Sequence, residues 1–196
     1  MKPFILQCVQ ESISVKTRTA ENNLETISKI AQTITHSLRK GGKIFFFGNG
    51  GSAADSQHIA AELIGRFKHE RRSLAAIALT TDTSILTALG NDYGFDIIFA
   101  RQLEGLAKKG DVAVALSTSG NSKNVIEGVK AARKIGLKVV SFTGNGGGKL
   151  AALCDLNLIV ASGNTARIQE SHICFAHIIC ELVEKNFVGL KKNSKS

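Results

Sequence analysis

His58 and Glu62 stand four residues apart in the run Asp55-Ser56-Gln57-His58-Ile59-Ala60-Ala61-Glu62, so on a helix they project from one face, about one turn from each other. An imidazole and a carboxylate at this spacing either stabilise a helix surface as a pair or point at a shared chemical site. A second polar group, Gln169, Glu170, His172 and His177, interrupts the apolar pattern of Ile168, Ile173, Phe175, Ile178, Ile179 and Leu182. A helix so apolar is expected to be buried, and His177 within it either finds a partner in the core or serves chemistry. Gln169 and His177 are about 12 Å apart along a regular helix, too far for one small site. Either the two act from different copies of the chain, or Gln169 precedes the regular helix.

Two further runs have the chemistry of anion-binding loops: Gly48-Asn49-Gly50-Gly51-Ser52 and Ser117-Thr118-Ser119-Gly120-Asn121-Ser122. Each follows an apolar run and precedes a helical pattern, beginning near Ala53 and near Asn124. A helix amino terminus offers unpaired N–H groups and partial positive charge, glycine permits close approach, and hydroxyls rotate to meet phosphate oxygens. Ser and Gly also make turns and caps, but two such loops after two strands of one sheet favour a phosphorylated ligand. Neither loop ends in the Gly-Lys-Ser/Thr of a nucleotide-hydrolysing loop, and the first supplies only part of GxGxxG, which argues against nucleotide hydrolysis and NAD chemistry. A third run, Gly144-Asn145-Gly146-Gly147-Gly148, reads as a flexible turn before a short helix at Lys149.

The elements that must hold these groups are legible as periodicities. Apolar residues recur at helical intervals from Phe4 to Lys40 and stop at Gly41-Gly42. Short β-rich runs follow at Lys43–Phe47, Ala75–Leu79, Val112–Leu116, Lys138–Phe142 and Leu156–Val160. Each is continuously apolar, as a strand buried on both faces of a parallel sheet must be. The expected architecture is an α/β three-layer sandwich with about five parallel strands, amino-terminal helices over about residues 4–40 and a closing helix from about Ile168 to Phe187. A single domain is expected over residues 1–190, with a basic disordered tail over 191–196.

The chain has 196 residues, 43% of them hydrophobic, enough to bury one sizeable core. No apolar leader precedes the polar stretch Glu11 to Arg18, and Ile173 to Val183 is far shorter than the ~20 residues of a membrane span. A cytoplasmic protein is expected. Cys8, Cys154, Cys174 and Cys180 form neither a CxxC pair nor a disulfide framework and read as free thiols. The net charge of +9 is scattered, apart from His69 to Arg72 and the terminal Lys191, Lys192 and Lys195, and with no Trp and one Tyr there are few stacking platforms. Attraction of small anionic substrates accounts for it at least as well as nucleic acid does.

The full order of motifs resembles one family. Gly48 through His58 followed by Glu62, the Gly90-Asn91-Asp92 turn, the Ser117 to Ser122 loop, and Arg167-Ile168-Gln169-Glu170 followed by His177 are similar to the phosphoheptose isomerases, over about Glu11 to Glu184. The resemblance implies the sugar isomerase (SIS) fold and conversion of sedoheptulose 7-phosphate to D-glycero-D-manno-heptose 7-phosphate for lipopolysaccharide heptose. It also implies a homotetramer with sites between subunits. By position it implies that Asn49, Gly50, Gly51, Asn91, Asp92, Ser117, Thr118, Ser119, Ser122 and Gln169 bind substrate. Glu62 would move a proton between C1 and C2, with His177 as its acid/base partner. It further implies zinc on His58, Glu62, Gln169 and His177. Aldose–ketose exchange needs a carboxylate near the carbon-bound proton and a second group for the oxygen-bound one, and these residue types meet that need.

A rival class is a non-catalytic SIS protein that binds the replication initiator DnaA, which the segment Arg72 to Leu79 and the basic balance resemble. Glu62 and His177 together favour an enzyme. A sugar-phosphate-sensing regulatory domain is a third possibility, though no DNA-binding segment is attached.

Overall fold

The computed structural model describes residues 1–189; the basic tail expected over 191–196 lies outside them. In chain order the elements are α1 (Lys2–Arg39), β1 (Ile44–Gly48), α2 (Gly51–Ile64), β2 (Ala76–Ala78), α3 (Thr83–Asp92), a 3-10 turn at Phe95–Ile97, α4 (Ile98–Leu106), β3 (Val112–Ser117), α5 (Lys123–Ile135), β4 (Lys138–Thr143), a 3-10 segment at Asn145–Leu150, β5 (Leu156–Ile159) and α6 (Thr165–Lys185). All five expected strands form, paired in parallel in the order β2-β1-β3-β4-β5.

Successive side chains of β1 face opposite ways. Ile44 and Phe46 enter a core with α1, α2 and α6, while Phe45 and Phe47 enter a second core with α4 and α5. Every residue of β1 and β3 is buried, which is why these runs read as continuously apolar. The chain turns one way from β1 to β2 and the other way to β3, so the crevice at their carboxyl ends is the switch point where open α/β sheets bind ligands.

Two expectations about helices are corrected. The amino-terminal region is one helix of 38 residues, begun by a proline at its first turn. Its second half buries Ile27, Ile30, Ile34 and Leu38, whereas Phe4, Ile5, Leu6, Val9 and Ile13 in its first half are more than half exposed. The closing helix starts at Thr165, earlier than expected, because Asn164 caps it by accepting from the Ala166 amide at 3.1 Å. Alone among the α-helices, α3 fully buries no residue, although Leu86 and Leu89 pack half-buried against the second core. Among the described residues no helix is long and apolar enough to cross a membrane.

Candidate active site

The two Ser/Gly loops leave the carboxyl ends of β1 and β3, side by side. A reciprocal amide pair ties them: Asn49 Nδ2 donates to Asn124 Oδ1 at 2.9 Å, and Asn124 Nδ2 donates to Asn49 Oδ1 at 2.8 Å. Ser117 and Ser122 close the second loop with an Oγ–Oγ hydrogen bond of 3.0 Å, and the Asn121 amide donates to Ser119 Oγ at 3.1 Å. Neither N-cap residue, Gly50 of α2 nor Ser122 of α5, caps its helix through a side chain, although the Val125 amide donates to Asn124 Oδ1 at 2.9 Å, and both helices turn positive dipole ends to the crevice. Gly50, Gly51 and Ser119 are exposed there, with Asn49, Thr118 and Ser122 half-buried.

The third glycine-rich run is not the flexible turn expected from its composition. The Gly144 amide donates to Thr118 O and the Leu150 amide to Gly120 O, each at 3.0 Å, and Lys149 N donates to Asn121 Oδ1 at 3.1 Å. A Cβ at Gly120 would overlap the Gly147 carbonyl. The two loops are therefore packed backbone to backbone, and the run serves as a brace for the Ser-rich loop.

α2 and α6 run alongside each other in the same direction and meet at three levels. At the start of α2 the Gln169 amide packs so closely on Gly51 that a Cβ there would overlap it. One level on, His58 Nε2 lies 3.2 Å from Glu62 Oε1 and 3.2 Å from His177 Nε2. The two imidazoles meet edge to face with centroids 4.9 Å apart, and Phe67 walls His177 at 5.5 Å. Beyond the end of α2, Glu184 accepts from the amides of Phe67, Lys68 and His69 at 2.8, 2.8 and 3.1 Å. Buried Arg71 approaches Glu184 at 3.3 Å and donates to the Glu62 and Leu63 carbonyls at 2.8 and 2.9 Å. This end of α2, which carries Glu62, is thereby pinned to the helix that carries His177.

One set of residues thus assembles within a single chain: His58, Glu62 and His177, whose ligand atoms all lie within 4.8 Å of one another. Ligand atoms ~2.0–2.1 Å from a tetrahedral zinc stand about 3.3 Å apart, so the two 3.2 Å separations and the His/Glu/His donor set fit a metal ion. Gln169 is not in this group. It lies inside α6 at the Gly51 level, so the alternative that it precedes the regular helix is ruled out by the cap at Asn164. Asn91 and Asp92 sit exposed at the end of α3, the Asn91 amide donating to Asp92 Oδ1 at 2.8 Å, with no hydrogen bond to either loop among the described residues.

The buried histidine of α6 is His172, not His177. His172 is fully buried, its Nε2 lies 3.2 Å from the Thr143 carbonyl, and its Nδ1 has no partner. Burial pushes it down to about 4, against the pull of the Thr143 hydrogen bond. His177 is only half-buried and faces the cluster. Two residues not singled out from sequence belong here. Asn124 joins the loops, and Asp55 lies one turn before His58, with Oδ2 buried and unpartnered. Burial raises the Asp55 carboxyl to about 6 although the charge of His58 pulls it down. Among the cysteines, burial pushes Cys154 up to about 11 and Cys180 up to about 12, leaving both as unreactive thiols.

The SIS domain family matches residues 8–144. The chain is 57% identical over 168 residues to the phosphoheptose isomerase of Campylobacter concisus, covering 86% of this chain and 89% of that one. It is 57% identical over 176 residues to that of Aquifex aeolicus, covering 90% and 92%. The solved structure of phosphoheptose isomerase from Neisseria gonorrhoeae superposes with a TM-score of 0.89 at 46% identity, covering 94% of this chain and 98% of that one. With its loops at the switch point and its glutamate and histidines gathered between α2 and α6, the chain belongs to the phosphoheptose isomerase family of SIS-domain proteins.

Proposed function

We propose that the protein isomerises sedoheptulose 7-phosphate to D-glycero-D-manno-heptose 7-phosphate in the cytoplasm, supplying heptose for lipopolysaccharide. The observation that carries the reading is the meeting of a carboxylate and an imidazole, Glu62 and His177, in a chain whose two Ser/Gly loops suit a phosphate. Glu62 takes the proton from C1 of the ketose while His177 protonates the C2 carbonyl oxygen, giving an enediol. Glu62 then returns its proton to C2 as the O1 proton leaves to His177, and the aldehyde forms at C1. No atom is gained or lost. The loop hydroxyls and the amides of α2 and α5 hold the phosphate; Asn49, Gly50, Gly51, Ser117, Thr118, Ser119, Ser122 and Gln169 form that grip, with Asn91 and Asp92 on the sugar.

Gly51 and Glu62 lie about 16 Å apart along α2, whereas a seven-carbon chain with its phosphate, at ~1.5 Å per bond, extends roughly 10 Å. A fully extended substrate with a hydrogen bond of about 3 Å at each end would only just bridge Gly51 and the same chain's Glu62. A homotetramer with sites between subunits resolves this, and the exposed apolar start of α1 supplies a contact surface. Zinc fits His58, Glu62 and His177, with Gln169 joining only from a neighbouring copy; when bound it would polarise the sugar carbonyl.

The test is turnover of purified protein on sedoheptulose 7-phosphate beside Glu62→Gln and His177→Gln. Loss in both, with folding and substrate binding kept, supports the assignment. Absence of turnover in the parent protein with and without zinc, but with sugar-phosphate binding retained, overturns it in favour of a binding protein.

A further inference from the structure

At the end of the sheet away from the catalytic loops, the amino ends of β1, β3 and β4 and the last turn of α1 enclose a cleft of about 720 Å³, within the size range of small-ligand pockets. The length of β3 separates it from the Ser-rich loop by about 17 Å. His36, Lys40, Lys108, Lys109 and Lys138 line it, and no carboxylate does.

Two acids stand nearby, and both are engaged. Asp111 is fully buried, and its oxygens accept from the Lys43 and Lys108 backbone amides at 2.8 and 2.9 Å and meet Lys43 Nζ at 3.4 Å. Asp155 accepts from the Val139 amide at 2.8 Å and pairs with Lys138 at 3.1 Å. Lys40, Lys108 and Lys109 have no ion-pair partner among the described residues. The frame beneath them is held in place, since Ser37 of α1 donates to the Gly110 carbonyl at 2.6 Å and so ties the lysine-bearing loop to the helix. Thr33, Val112 and the lysine stems give the cleft apolar walls.

Lysines without ion-pair partners, drawn from two segments and lining one cleft with apolar walls, suit an elongated, multiply charged anion. We propose that this cleft binds a multivalent phosphate compound of nucleotide size, at a site separate from the catalytic centre and independent of the reaction assigned there. Lysines near helix carboxyl ends also offset the macrodipoles; in that case they would bind no anion specifically.

Calorimetric titration of the full chain with ATP, inorganic tripolyphosphate and adenosine, in separate arms at physiological salt, decides between the two. The expected result is a Kd below about 1 mM for ATP, weakened at least tenfold in Lys40→Gln/Lys109→Gln and unchanged in Ser119→Ala. Tripolyphosphate binding as well identifies the phosphate chain as sufficient, whereas ATP alone identifies a nucleotide. No millimolar binding of either anion, equal binding of adenosine, survival of affinity in the double lysine variant, or loss in Ser119→Ala instead, overturns the proposal. Thermal melting of the double variant, expected to match the parent, excludes misfolding as the cause.

Discussion

His58 Nε2 stands 3.2 Å from His177 Nε2 and 3.2 Å from Glu62 Oε1. A single ring nitrogen can donate one proton or offer one lone pair, so it cannot satisfy both neighbours at once as a donor. Convergence of three such atoms is the pattern that a shared cation or a mobile proton satisfies and that a simple helix-surface pair does not.

Zinc added to metal-free protein is therefore expected to bind at one ion per chain. His177→Gln and His58→Gln should each weaken it at least about tenfold. Affinity should fall as pH falls, because imidazoles bind metals unprotonated. Competition with a chromophoric chelator measures this; full affinity in both variants would sink the assignment.

Assembly is predicted to run through the first turns of α1. Leu6→Glu/Val9→Glu places two charges on the exposed apolar stripe and should convert the proposed tetramer to smaller species in light scattering. If sites lie between subunits, turnover falls at least tenfold with it. A double variant that becomes smaller yet remains fully active refutes the shared-site reading.

Breaking the buried Arg71–Glu184 pair should be costly. Burial alone would push the Glu184 carboxyl up, but the amides of Lys68, Phe67 and His69 and the charge of Arg71 hold it below its ordinary value. Glu184→Ala leaves Arg71 without its counter-charge and three amides without an acceptor. A loss of about 3 kcal/mol is expected in urea unfolding. A loss below 1 kcal/mol is incompatible with this account.

His172 predicts a pH dependence of stability. Its ring is neutral in the folded chain down to about 4, whereas the unfolded chain takes up a proton near the ordinary value of about 6.5. The folded pKa is depressed, so this contribution is fully present above the unfolded value and is lost as pH falls towards 4. Between pH 7 and pH 5 the parent should lose about 2 kcal/mol more than His172→Gln. Parallel unfolding curves at fixed protein concentration test this, and equal losses would falsify it.

Strands, loops and the family's motif order were readable because each rests on local pattern. Residues such as Phe45 and Phe46 had to be apolar on both faces, and Ser117 to Ser122 had to follow a strand. What was hidden depends on which helices meet. α6 packs on α1 along one side and on α2 along another, so its apolar residues surround it, and periodicity could not tell buried His172 from His177. Nor could composition show that Asn124 would reach Asn49, 75 positions away in sequence. The brace formed by Gly144 to Leu150 left no side-chain pattern, because its contacts with Thr118 and Gly120 are made by backbone.

α3, which ends in Asn91 and Asp92, buries none of its side chains fully and meets the core only through half-buried Leu86 and Leu89. An element so lightly held opens locally at small free-energy cost and exchanges its amides well before the sheet does. On the proposed reading, the sugar-end contacts fall to a helix that touches the core only through these two leucines. On that reading, substrate would enter and leave by loosening this helix, while the α2–α6 framework around Glu62 and His177 stays closed.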